Sequence, residues 1–353
     1  MKKFLNSILP NSIWIILRNI KFIFDKLILT FFGSNNFLSS VYYTFFSNEF
    51  SREHNAVIKG KVEYIKSLKV IYNSSAFLRR NIHRIEKGLI MKPRRSVFGE
   101  KYIIETVKTL KLAIEQNKID KEEMKWALDV LEQYFICNEE TETILKAKSL
   151  FLDLNSSKSN NIKYVPFTYK SNLNNQLSYR DLKDLFLKRK SVRWYEPKKV
   201  PYELIVKAIE IAKLAPSACN RLPYSFYVSE SKKSAVQIAK CAGGTSGWAD
   251  NIPCIIAVIG DLSAYQGESN RHLIYIDSSL ATMQLILALE TLGLSSCAIN
   301  WPDRKDSDKK INKFLNLEKH QRPIMLLSVG YPCVNGGIPY SKKKSNDILI
   351  KKV

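Results

Sequence analysis

The best-marked catalytic signatures are missing from this chain. It has no GxSxG elbow, no HExxH helix and no P-loop, which removes the usual routes to serine hydrolysis, zinc proteolysis and nucleotide hydrolysis. Its four histidines, His54, His83, His272 and His320, lie far apart, so a histidine metal centre would need tertiary contact alone to assemble it. The six cysteines, Cys137, Cys219, Cys241, Cys254, Cys297 and Cys333, form no CxxC pair. Their mostly apolar neighbours fit reduced thiols in a cytoplasmic protein better than disulfides or zinc ligands. Acidic residues are scarce too: 33 Asp plus Glu against 55 Lys plus Arg leave a formal net charge of +22. That balance suits anionic partners. The excess is scattered in single lysines and short runs without a nucleic-acid motif, so nucleic acid is not expected as a partner.

What is present supports a sizeable core. The chain has 353 residues, 45% of them hydrophobic and 11% aromatic, enough for one large domain or two of ordinary size. Residues 1–40 contain an apolar run, Ile13 to Phe32, broken by Arg18, Lys21, Asp25 and Lys26. Those charges, and the lack of a small-residue cleavage site, argue against a membrane span and a signal peptide. On a helix, Asn11, Arg18, Lys21 and Asp25 share one side and leave Ile13, Ile16, Leu17, Ile20, Phe24, Leu27, Ile28 and Phe31 off it. Two readings stand: a peripheral seat on the anionic inner face of a membrane, or a helix docked on the protein's own core or on a partner.

Residues 41–154 read as helical throughout. Within them, Leu78 to Leu89 is dense in charge and is expected to end at Gly88 as a C-cap. His83 and Glu86, three apart, could face one site as ligand and acid-base pair, or could belong to a helix laced by charge pairs. Residues 155–177 form a polar linker, Asn155 to Asn161 extended by Ser171 to Gln176, which cannot bury a core and marks a domain boundary. Beyond it, residues 178–353 alternate helices and strands. Ser178 and Asp181 form a capping-box start, and Pro201 opens a helix ending before Pro216. Strands are expected over 224–228, 253–260, 295–301 and 323–330, and helices over 231–241, 274–292 and 311–317. The Gly-rich turn over 243–247 lacks GxGxxG spacing and reads as a loop over a pocket.

The stretch Arg189-Lys190-Ser191-Val192-Arg193-Trp194-Tyr195 packs three cations, a hydroxyl and two aromatics into seven residues. It can be a solvated basic turn, or a grip on a phosphate with an aromatic beside the attached group. Three further pieces accompany it: APSACNRLPY (215–224), the helix DSSLATMQLILALETLGL (277–294) and PIMLLSVGYP (323–332).

In this order the four pieces resemble the flavin-dependent nitroreductase family over roughly residues 175–350. The resemblance implies an α+β fold with a mixed, mainly antiparallel sheet flanked by helices, here preceded by an all-helical N-terminal region. It implies a homodimer with FMN at the interface, and hydride transfer from NAD(P)H through the flavin to a small-molecule electron acceptor. Carried over by motif, Arg189, Lys190, Ser191 and Arg193 match FMN-binding positions. Pro216, Ser217, Ala218 and Asn220 match a loop approaching the flavin, commonly from the partner subunit. Ala298, Ile299 and Asn300 match the strand end beside the ring, and Lys343, within Lys342 to Lys344, matches a late phosphate ligand. Where family members often carry Glu, this chain has Asn300 followed by Trp301, a departure that bears on nicotinamide placement and substrate preference. Cys219 beside that loop reads as a packing residue. The HRIEKGL stretch (83–89) is similar to an extension on nitroreductase-like proteins of bacterial surface-polysaccharide gene sets, which gives an alternative role: a non-catalytic flavin-fold partner in a membrane-associated polysaccharide complex.

Overall fold

The computed structural model describes residues 11–68, 75–154, 163–168, 177–229 and 231–353; the linker segments 155–161 and 171–176 lie outside them. The chain divides into two compact units, residues 1–55 and 56–353.

In the first unit, α1 (Asn11–Phe32) is followed by α2 (Asn36–Val41) and a π-turn over Tyr42–Phe46. Asn35 caps α2 by accepting from the Leu38 amide at 2.9 Å. Phe32 packs on Tyr42 and Phe46 at ring separations of 5.4 and 5.2 Å. Phe32 lies on the charged flank of α1, so this packing leaves the broad apolar face uncovered. Ile16, Ile20, Phe24, Leu27 and Phe31 are 56–63% exposed.

The second unit begins within α3 (Ser51–Ser67). Ala56, Val57 and Ala76 share a core with Val258, Leu262 and Ile274, so the helical region is built into the sheet domain. Gly60 makes this possible, because a Cβ there would sit 2.7 Å from the Leu262 Cβ. A bundle follows: α4 (Ala76–Leu89), α5 (Glu100–Glu115), α6 (Lys121–Cys137) and α7 (Glu142–Leu152). It closes around Leu78, Ile82, Ile103, Leu110, Leu131 and Tyr134. Asp120 and Thr141 cap α6 and α7. The expected C-cap role of Gly88 is corrected: α4 runs through it to Leu89, and the missing Cβ instead admits the Phe98 ring against the helix.

The C-terminal part contains α8 (Tyr179–Lys188), α9 (Tyr202–Ala212), β1 (Tyr224–Ser229), α10 (Lys232–Ala239), β2 (Cys254–Asp261), α11 (Leu273–Thr291), β3 (Ser295–Asn300), α12 (Lys305–Leu315), β4 (Gln321–Gly330) and α13 (Asn346–Leu349). The Ser178–Asp181 capping box forms as expected. The helix α12 starts six residues before the expected Ile311, because its polar first turns, among them a buried Asp308, carry no apolar period. The sheet order is β1-β2-β4-β3, every pair antiparallel. Alternation along β2 divides its residues between the two faces of the sheet. Ile255 and Ala257 pack with Ile238 of α10 and Ile311 of α12. Cys254 and Ile256 pack with Ile205 of α9 and Leu285 of α11. The expected α+β class, with a helical N-terminal region, is what the chain adopts.

Candidate functional site

Arg189 leaves the end of α8, its amide still donating to the Leu185 carbonyl at 3.0 Å. The next residues run beside β3. The Val192 amide donates to the Ser296 carbonyl at 3.1 Å, and Ser191 forms a parallel bridge with Ser296. Val192 and Tyr195 anchor the stretch by turning into the core. The Tyr195 hydroxyl donates to the Val192 carbonyl at 2.7 Å and lies 2.8 Å from the Ser328 hydroxyl, and burial pushes its pKa up. With the apolar residues held inside, the alternate cations are displayed. Arg189, Lys190, Ser191 and Arg193 line a cavity of about 650 Å³, closed on its other side by the 338–345 segment with Lys342, Lys343 and Lys344. Among the described residues, six cations and three serine hydroxyls line it, and no carboxylate does. Such a lining is built for an anion with several acceptor oxygens. The Arg193 guanidinium also lies 5.8 Å from the Trp248 ring centroid, and the Asn251 amide nitrogen donates to the Arg193 carbonyl at 2.7 Å. The nearby Cys297 thiol is pushed up by burial, an effect that Arg193 and Arg189 partly oppose.

The remaining candidates do not line this cavity. Ala298 and Asn300 are exposed on β3, while Ile299 between them is buried. Trp301 turns out to be a core residue. Its indole N–H donates to Asp308 at 3.0 Å, and Arg322 joins Asp308 at 3.3 Å and Asp303 at 2.9 Å. The expectation that Trp301 bears on substrate is corrected accordingly: a buried, hydrogen-bonded indole holds the β3–α12 corner, and Asn300 alone of the two presents its side chain to solvent.

Pro216, Ser217, Ala218 and Asn220 lie in a separate loop between α9 and β1. The Ser217 hydroxyl and the Ala218 amide both donate to one oxygen of Asp277 at 2.9 Å. Ser217 also accepts from the Leu222 amide at 2.8 Å. Cys219, Asn220 and Leu222 sit at φ of +53°, +50° and +49°. For Cys and Leu this left-handed conformation costs roughly 1–2 kcal/mol each. The opposite side of the loop is held by Arg79 of α4, whose Nε donates to the Asn220 carbonyl at 2.6 Å.

Neither Asp277 nor Arg79 belongs to the site residues that the motifs imply. Asp277 had a legible signal, a carboxylate inside an otherwise apolar helix, which needs partners when buried. Arg79 had none, being one cation among many. On the same helix, the Glu86 oxygens accept from the Trp126 indole at 2.9 Å and meet His83 at 3.3 Å, which makes this pair part of a hydrogen-bonded helix face.

Residues 187–245 and 230–331 match the family model described as "Nitroreductase family". A Methanothermobacter thermautotrophicus protein provisionally named NADH dehydrogenase/NAD(P)H nitroreductase is 26% identical over 47% of this chain and 84% of its own. The iodotyrosine deiodinase of Thermotoga neapolitana is 28% identical over 48% of this chain and 96% of its own. Among solved structures, an FMN-dependent nitroreductase from Clostridium difficile R20291 aligns at 27% identity with a TM-score of 0.38, covering 47% of this chain and 92% of that one.

Proposed function

On the premise that the C-terminal half of the chain is an oxidoreductase domain of the nitroreductase family, we propose that it binds FMN and carries a hydride from NAD(P)H to a small-molecule acceptor. The observation that carries this reading is the cavity of about 650 Å³, lined among the described residues by six cations and no acid. A doubly charged phosphate fits that lining, since forked arginines and lysines make hydrogen bonds roughly twice as strong as neutral ones. Arg189, Lys190, Ser191, Arg193 and Lys343 would hold the phosphate end. When bound, FMN would supply the two-electron chemistry; the residues of the chain would bind it and orient it.

Two features support a homodimer. The Pro216–Asn220 loop does not line the cavity of its own chain, as expected if a second copy supplies it. The outer face of α11 exposes Ile276, Leu280 and Met283 at 37–52%, and beside it lies an apolar groove containing Leu214 and Leu287. The uncovered face of α1 supports a cytoplasmic location with a peripheral seat on an anionic membrane; deletion of residues 1–33 should release the protein from anionic vesicles.

The test is an absorbance spectrum of the purified full-length protein with added FMN, followed by anaerobic titration with NADH and NADPH. A yellow protein bleached by either nicotinamide is expected. A protein that takes up no FMN overturns the reading, and bound FMN that neither donor reduces favours the non-catalytic partner instead.

A further inference from the structure

Cys219, Asn220 and Leu222 are left-handed within four residues, and two of them are side-chain types that avoid that region. Such a loop persists where its surroundings over-determine it. On the sheet side the determinant is Asp277, which holds Ser217 and Ala218. On the other side it is Arg79, which grips the Asn220 carbonyl at the apex.

We propose that the helical layer α4–α7 is a clamp on the 216–222 loop, with Arg79 as its positioning residue. Arg79 is itself immobilised. Its terminal nitrogen pairs with Glu123 of α6 at 2.9 Å, in a site where the two side chains are 20% and 12% exposed. Its guanidinium lies 5.3 Å from the centroid of the Trp126 ring, also on α6. The indole of Trp126 is fixed in turn by Glu86 of α4. The hydrogen bond to Asn220 is therefore the end of a braced arm, with little entropy left to lose.

Apolar packing does not replace that bond. A cleft of about 240 Å³ opens between this layer and the start of β1, lined by Arg79, Glu123, Arg221 and Tyr224. Glu123 Oε1, Arg221 Nε and the Tyr224 hydroxyl face no protein partner. The Tyr224 pKa is pushed up to about 12 by burial and by the Asp277 charge, with Arg79 opposing. The phenol thus feels both tethers of the loop.

That the loop serves catalysis rests on the flavoenzyme reading; that it is clamped does not. The test is hydrogen–deuterium exchange on the full chain, with Arg79→Met and Arg79→Lys. Arg79→Met should speed exchange of the Ala218, Asn220 and Leu222 amides by about tenfold or more, leaving β2 and α11 unchanged. Loop exchange within about twofold of wild type overturns the clamp. If Arg79→Met also loses protection across β2, Arg79→Lys decides. It keeps a cation against Glu123 but lacks the fork that reaches Asn220, so the loop alone should loosen; wild-type loop protection overturns the proposal. In protein loaded with FMN, visible circular dichroism of the bound flavin should change with Arg79→Met, and an unchanged signal beside a loosened loop refutes the working role. A colourless wild type would sink the flavin reading while the exchange experiment still tests the clamp.

Discussion

Replacing Asp277 by alanine probes the second tether of the loop. One Asp277 oxygen accepts from the Ser217 hydroxyl and the Ala218 amide at 2.9 Å and from the Tyr265 hydroxyl at 3.3 Å. Asp277 is buried at 3% exposure, so alanine leaves these donors without an acceptor and without water. Hydrogen bonds to charged groups contribute about 1.5–3 kcal/mol each. Three donors on one oxygen do not add fully, and the third distance is long, so the expected loss is roughly 4 kcal/mol. At about 2–4 °C per kcal/mol, Tm should fall by roughly 10 °C. Asp277→Asn keeps an acceptor oxygen of the same shape and should lose less than half as much. Thermal melts by circular dichroism, at one ionic strength and with no added ligand, give both numbers. A fall of less than about 2 °C for alanine would refute the claim that this carboxylate holds the loop.

Three further outcomes follow from the described contacts. Gly60→Val should destabilise by about 2–3 kcal/mol through overpacking on Leu262, against a helix-propensity gain of about 0.4 kcal/mol; an unchanged urea midpoint would show that α3 does not seat there. Arg193→Ala should weaken FMN binding by roughly 10- to 150-fold, the equivalent of one charge-assisted hydrogen bond of about 1.5–3 kcal/mol, read by quenching of FMN fluorescence; wild-type affinity would remove Arg193 from the grip. The Glu290 carboxyl is raised by burial, with Lys188, Ser295 and Arg189 opposing. Its contribution to stability is therefore greatest below its unfolded pKa and falls as pH rises through the raised folded value. The Tm of Glu290→Gln relative to wild type should accordingly climb as pH rises above the ordinary carboxylate range, and a pH-independent difference would contradict that sign.

The sequence was legible where local pattern and final structure agree. The run Ile255 to Ile259 is short and mostly β-branched, and it lies in β2, one of the two interior strands. Ser178 and Asp181 announce the cap they form. Arg189, Lys190, Ser191, Arg193 and Lys343 could be collected by motif, and they meet at one cavity although about 150 residues of chain separate the two groups. The missed features are tertiary. Arg79 is indistinguishable from its neighbour Arg80 until α4 is placed against the loop. The strain at Cys219 and Leu222 leaves no trace in residue type, since nothing in those side chains asks for a positive φ. The placement of Trp301 is not legible from sequence, because adjacency does not say on which side of a strand end an indole falls; Asp308, seven residues on, decides it.

The sheet order leaves β3 at an edge, with the Arg189–Tyr195 stretch bridged to its start through Ser191 and Ser296. An uncovered edge strand offers its amides and carbonyls to any passing chain, and natural sheets hide or interrupt such edges. The bridge at Ser296 interrupts that row where the cation-bearing stretch meets it, so loosening the stretch is expected to lay more of the edge open. Mutations that loosen it, at Val192 or Tyr195 for instance, should appear first as lost solubility and only afterwards as lost binding. Anything that pins the cations down from outside should keep the protein monodisperse.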